Sequence, residues 1–161
     1  MDVEITPLSR KHMKAAERVE NAASGVPWTH ENFLQFHRQR TALSVVALYR
    51  GEVVGHLLYN VCPDALCLAN MAVEPTFQRQ QVGTQLVNHL KSKLRRYAAY
   101  MHILTVVHER NLDAQLFYKA QGFLAIHVAR EFFDTGESAY EMRYTVAAAV
   151  PHNRLTQYSG R

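Results

Sequence analysis

The stretch NMAVEPTFQRQQVGTQLVNHL, residues 70–90, changes its hydrophobic period part-way along. Up to Val73 it completes a β-rich apolar run, ALCLANMAV, that ends at Glu74-Pro75. From Val82 onward, Leu86, Leu90 and Leu94 recur at helical spacing. A strand must therefore pass through a short polar loop with one glycine, Gly83, into a helix. Such a junction is a ready anion site, because backbone N–H groups point out of the turn and the helix dipole favours negative charge. Gly83 has no β-carbon, so a phosphate could approach the backbone closely. No Gly-Lys-Ser/Thr follows, which excludes a P-loop, and two glycines of the dinucleotide fingerprint are missing. On spacing alone, a diphosphate site and a plain helix start are equally open.

The rest of the chain alternates the two periods. Residues 3–5 read as a short strand, and Ser9 is placed to cap a helix with Met13, Ala16, Val19 and Ala23 on one face. SGVPWT breaks the chain, and Thr29 can cap a second helix running to about Arg40. ALSVVALY and VVGHLLYN, separated by RGE, predict an antiparallel hairpin, and a turn at Cys62–Asp64 leads into the apolar run. HILTVV predicts a strand, and NLDAQLFYKAQG a helix that Asn111 caps and Gly122 stops. FLAIHVAR and YEMRYTV predict two last strands around the turn-rich DTGES. The order is β-α-α-β-β-β-α-β-α-β-β: an α/β single domain over 1–146, with about seven mostly antiparallel strands and about four helices. The small, polar stretch 147–161 reads as a frayed tail.

A chain of 161 residues, 48% hydrophobic and 20% charged, is ordinary for one globular domain and excludes disorder. Its apolar runs fall short of a membrane span and its N-terminus lacks a signal-peptide core, so the expectation is a soluble, cytoplasmic protein without a membrane partner. Cys62 and Cys67, with no matching ligand group nearby, are expected to be packed, reduced thiols, and no metal site is expected. A net charge of +4 permits an acidic ligand without identifying one. The basic run KSKLRRY is expected to be a solvated helix face, and nucleic acid is not the expected partner.

Gln80-Gln81-Val82-Gly83-Thr84-Gln85, after a strand ending in Val-Glu-Pro, resembles the acetyl-CoA-binding motif of the GNAT acetyltransferase superfamily, Q/R-x-x-G-x-G/A. It departs at the last place, where Gln85 replaces a small residue. ERNLDAQLFYKAQGF resembles the second signature of that superfamily, an Asn opening a helix, a Tyr seven residues on, and Gly-Phe into a strand. The order of elements agrees over about residues 3–146. VPWTHENF and AREFFDTGESAYEM are similar to segments of the ribosomal-protein-alanine group of N-terminal acetyltransferases, although Trp28, Phe132 and Phe133 can equally be packing residues.

The resemblance implies an acetyl-CoA-dependent N-acetyltransferase whose acceptor is a primary amine, a protein or peptide N-terminus above all. The alternatives are a small-molecule amine acetyltransferase and a CoA-binding regulatory module without catalysis, and a monomer or homodimer is expected. It implies that the backbone of Met71, Ala72 and Val73 pairs with the pantetheine arm. Gln78 and Gln80, Gln81, Val82, Gly83, Thr84 and Gln85 would wrap the pyrophosphate, and Asn111 would cap its helix and contact the cofactor. Tyr118, at the motif's tyrosine, would contact the cofactor and give a proton to the leaving thiolate. The glutamate that the group carries five residues before the asparagine is Val106 here. Strand alternation puts His108 on the face of Val106, and His108 and Glu109 are the candidate replacements, unless either is only a solvated loop residue. An α-amine with pKa near 8 costs about 1.4 kcal/mol to deprotonate at pH 7, against about 4.6 kcal/mol for a lysine, so a weak base suits an α-amine better.

Overall fold

A computed structural model describes the backbone of residues 1–96 and 102–146; of Arg95 and Arg96 only the backbone is described. The expected tail, 147–161, and Tyr97 of the basic run lie outside the described residues. Seven strands form one sheet in the order β1-β2-β3-β4-β5-β7-β6: β1 Glu4–Pro7, β2 Ala42–Tyr49, β3 Glu52–Val61, β4 Ala65–Val73, β5 His102–His108, β6 Leu124–Ala129 and β7 Ala139–Thr145. The helices are α1 Met13–Ala23, α2 His30–His37, α3 Val82–Arg96 and α4 Leu112–Ala120. All pairs are antiparallel except β4–β5. The expected mixed α/β sheet of seven strands and four helices is the one found.

Local chemistry explains the joints. β2 and β3 meet through a two-residue turn in which Arg50 and Gly51 both have positive φ, 52° and 83°, the geometry that matches strand twist in a hairpin. Thr29 caps α2 as expected, its hydroxyl accepting the Asn32 N–H at 3.2 Å. The helix ends at His37 rather than near Arg40, because Arg40 and Thr41 already turn into β2. Ser9 opens a 3₁₀ turn, Arg10–His12, before α1 proper begins. Asn111 caps α4 through the Ala114 N–H at 3.1 Å.

Two apolar layers flank the sheet. On one face, Val82, Leu86, Leu90 and Leu94 of α3 pack with Leu57, Leu66, Ile103, Tyr118 and Phe123, all at most 6% exposed. On the other, Ala16 and Val19 of α1 and Phe33 and Phe36 of α2 cover Leu58 and Val46. Fully burying a leucine such as Leu86 or Leu90 stabilises the fold by about 1.5–3 kcal/mol.

Two expectations are corrected. Cys62 and Cys67 form a disulfide rather than standing as free thiols: the β3–β4 turn, where the Cys62 N–H bonds Ala65 O, brings their Cα atoms to 6.4 Å. Lys91 is not on a solvated face either. Its Nζ donates to Gln121 O at 2.6 Å and lies 4.3 Å from the centre of the Tyr144 ring, and burial lowers its pKa. No helix among the described residues is long and apolar enough to cross a membrane.

Candidate active site

The site originates in a mismatch between strands. β4 and β5 pair only from Ala65↔His102 to Leu68↔Thr105. Beyond that point β4 keeps pairing with β3 as far as Val73, and β5 keeps pairing with β7 as far as His108. In β4 the register jumps, Tyr59 facing Leu68 and Leu58 facing Asn70, so Ala69 is an extra residue in a bulge. The two parallel strands therefore part, and the edge of β4 from Ala69 to Val73 faces open space. A cleft of about 360 Å³ fills the gap. Its walls are Leu68–Val73, Thr105–His108, the α4 residues Ala114 and Tyr118 with the cap Asn111, and, across the cleft, Glu20, Ala23 and the loop after α1 with Trp28.

The loop from β4 to α3 closes one end. Arg79 and Gln81 have φ of 60° and 67°, left-handed conformations that side chains rarely adopt and that turn successive amides to one side. The ladder of α3 starts with Gln85 N–H to Gln81 O at 3.0 Å, so the amides of Val82, Gly83 and Thr84 form the open first turn. Gln78 lines the cleft and its Nε2 donates to Val73 O at 3.0 Å; Gln80 donates to Thr76 O at 2.8 Å. Both bonds hold the loop rather than a ligand.

Two motif positions are used differently from what their types suggest. A β-carbon on Gly83 would meet the Phe117 ring at 3.2 Å and Val73 at 3.8 Å, so the missing atom faces α4 and serves packing between α3 and α4. Gln85 does not crowd the loop. Its Oε1 accepts the Val3 N–H at 3.1 Å and its Nε2 donates to Met1 O at 2.7 Å and to Gln81 O at 3.3 Å, fastening the N-terminal segment to the start of α3.

At the centre of the cleft stands Tyr118, 6% exposed on α4. Burial pushes its phenol up to about 12, partly offset by a hydrogen bond with Thr105. The Thr105 hydroxyl donates to Leu68 O at 3.3 Å, so Tyr118 and Thr105 mark the point where the strands part. His108 lines the cleft on the face of Val106, which is 46% exposed. The Nδ1 of His108 accepts the Arg110 N–H at 3.0 Å, and Phe133 from the β6–β7 loop lies over the ring at 4.7 Å. The neutral ring therefore carries its proton on Nε2. Glu109 is exposed, and its backbone bonds Ser138 O and Gln115 Nε2 outside the cleft wall. Trp28 both lines the cleft and packs on Phe33 and Phe36 at 5.8 Å.

Sequence reasoning missed Thr105 and the group of Glu20, His56 and Asn70. The available signal was polarity in apolar runs: Thr105 in HILTVV, His56 in VVGHLLYN and Asn70 in ALCLANMAV. The residues present fit acetyl-CoA: β4 offers an unpaired edge to an amide-rich arm, and the α3 start offers free amides to a diphosphate.

Sheet, splay and helix-start loop together suit an acyltransferase that takes an acyl group from a coenzyme A thioester. The chain belongs to the acetyltransferase (GNAT) family, whose family model matches residues 13–123, and it is an acetyl-CoA-dependent N-acetyltransferase. It is 28% identical over 131 residues to the ribosomal protein bS18-alanine N-acetyltransferase of Escherichia coli, covering 81% of this chain and 87% of that one. The crystal structure of the ribosomal-protein-S18-alanine N-acetyltransferase from Escherichia coli matches with a TM-score of 0.81 at 25% identity, covering 94% and 98% of the two chains. Arabidopsis thaliana NAA60 in complex with acetyl-CoA shares the fold, with a TM-score of 0.78 at 13% identity over 90% and 99%.

Proposed function

We propose that the acceptor is the free α-amine of a protein or peptide N-terminus, acetylated in the cytoplasm by direct attack in a ternary complex. The observation that carries this reading is the acceptor side of β5, where Val106 and His108 line the cleft and Glu109 stands outside it. Among the described residues that line the cleft the one carboxylate is the buried Glu20, so none stands exposed there to strip a lysine, while an α-amine is already about one-tenth neutral at pH 7. Relatives that are alanine N-acetyltransferases of a ribosomal protein support the same class of acceptor.

In this reading the β4 edge, Met71 to Val73, pairs with the pantetheine arm, and the turn from Gln78 through Gly83 to Thr84 takes the diphosphate. Asn111 holds the start of α4 against the cofactor. The amine nitrogen attacks the thioester carbon, the new C–N bond forms, and the C–S bond breaks. The sulfur leaves as thiolate and takes the proton of Tyr118. The proton lost by the amine leaves to bulk solvent through a water that His108 orients through its Nε2–H, His108 itself taking no proton, and Glu109 takes no part. The test is CoA release with an alanine-initiated peptide against the same peptide blocked at its N-terminus and carrying an internal lysine. Turnover only on the free N-terminus is expected; equal turnover on both would overturn the acceptor assignment, and release with small amines alone would point to a metabolite acceptor.

A further inference from the structure

We infer that Glu20, with His56 and Asn70 behind it, is the fixed negative charge that draws the protonated acceptor amine to the floor of the cleft. The inference rests on the amine-acceptor reading. Glu20 on α1 is 2% exposed and His56 on β3 fully buried. Glu20 Oε1 accepts the Trp28 N–H at 3.0 Å and the Asn70 Nδ2 at 3.2 Å. His56 Nε2 lies 3.2 Å from both Asn70 Oδ1 and Glu20 Oε2.

The charge of the cluster follows from what is left over. His56 Nδ1 is buried without a partner, and Glu20 Oε2, though close to the imidazole, receives no well-formed hydrogen bond. An imidazolium would bury a second N–H with no acceptor, whereas a neutral ring with its proton on Nε2 leaves only a lone pair. The cluster then carries one net negative charge. Among the described residues no lysine or arginine pairs with Glu20; Arg18 of the same helix donates to Val53 O instead. Burial pushes the Glu20 carboxyl up, but the nearby His56 imidazole, the Trp28 amide and the Asn70 amide outweigh it and hold the group below its ordinary value.

A buried carboxylate without a counter-charge is costly, yet Glu20 and Asn70 both line the cleft opposite His108. A cation entering that cleft supplies the missing charge, and in an enzyme that acetylates amines the entering cation is the acceptor's own ammonium. The field acts through the low-dielectric floor, so direct contact with the carboxylate is not required. Glu20 also joins the two walls that must meet around the acceptor, the loop carrying Trp28 and the β4 bulge carrying Asn70. It is a positioning residue. It concentrates the ammonium form, and the proton leaves afterwards.

The experiment compares two ligands on the CoA-saturated protein: an alanine-initiated tetrapeptide amide, and its analogue with propionyl in place of alanyl, which lacks only the amine. By calorimetry at low ionic strength, the wild type should bind the ammonium peptide at least about tenfold more tightly. Glu20→Gln keeps an oxygen for the Trp28 N–H and removes the charge; it should erase that preference and raise the acceptor KM by a similar factor with kcat unchanged. Structural damage would lower kcat as well. Equal or undetectable affinity for the two peptides in the wild type overturns the inference, as does a preference that survives in Glu20→Gln. Because these are binding measurements, a failure of turnover on peptides would overturn the acceptor reading separately.

Discussion

Gly83 separates two explanations that its motif leaves joined. A glycine at a helix start invites the reading that a phosphate needs the space, but the vacant Cβ direction points at Phe117, 3.2 Å away. Gly83→Ala should therefore cost about 1–2 kcal/mol by crowding the ring, more than the gain of at most about 1 kcal/mol from helix propensity. Acetyl-CoA affinity should change little; denaturant unfolding and calorimetry on one preparation check both parts. Tyr118 is where type and place agree. A phenol held near 12 keeps its proton throughout the neutral range, as a donor to a departing thiolate must. Tyr118→Phe should lower kcat about a hundredfold or more with acetyl-CoA binding nearly intact; equal turnover, with chemistry shown to limit the rate, would remove the residue from the mechanism. Tyr118 and Asn111 were legible because the seven-residue interval between them survives in the chain. Thr105 and Glu20 were not. Their roles depend on which strand lies opposite and which loop folds back, and neither is a local property.

At the scale of elements, hydrophobic runs and the turn residues between them located the strands and helices of the described residues, even β6, which has no buried face, and β3, which is buried on both, and errors gathered at ends and partners. The helix after Thr29 stops at His37 because β2 claims the following residues. Lys91 was read as solvated from its basic neighbours, yet the C-terminal carbonyls of α4 and the Tyr144 ring draw it inward. The disulfide was invisible for a similar reason: five residues of separation say nothing until the turn fixes the register. The most consequential unread feature is the β4 bulge. ALCLANMAV looks like a regular strand, and only the pairing with β3 shows that Ala69 is surplus. Deleting Ala69 leaves Leu68 opposite Tyr59 and Asn70 opposite Leu58, so the hairpin can close without changing which face any residue occupies. The protein should keep its circular dichroism spectrum and lose acetyl-CoA affinity by about tenfold or more, since β4 would no longer turn its free edge into the cleft. Unchanged affinity in a folded deletion variant would show that the splay does not depend on the bulge.

For the molecule as a whole, the placement of titratable groups sets a pH profile. An α-amine with pKa near 8 deprotonates across the neutral range, so kcat/KM on a free N-terminal peptide should rise with pH and level off above about pH 8. The far limb is set by Tyr118. Its folded pKa is raised, so the protonated phenol is favoured by the fold, and that contribution to stability is complete below about pH 10 and is lost as pH rises toward about 12. The plateau should therefore extend well past pH 10, provided the protein stays folded. His108 enters at the acid end. His108→Ala should weaken activity most below the plateau, where fewer acceptor amines are neutral and an oriented water counts most, whereas Glu109→Ala should leave the profile unchanged. A lysine acceptor would instead keep gaining rate toward pH 10, unless the cleft depressed its pKa. The measurement is kcat/KM from pH 6 to 10.5 for the free peptide in the wild type and both variants. A profile still climbing at pH 10 would count against an α-amine acceptor, and a profile identical in His108→Ala would remove His108 from proton transfer while leaving Tyr118 in place.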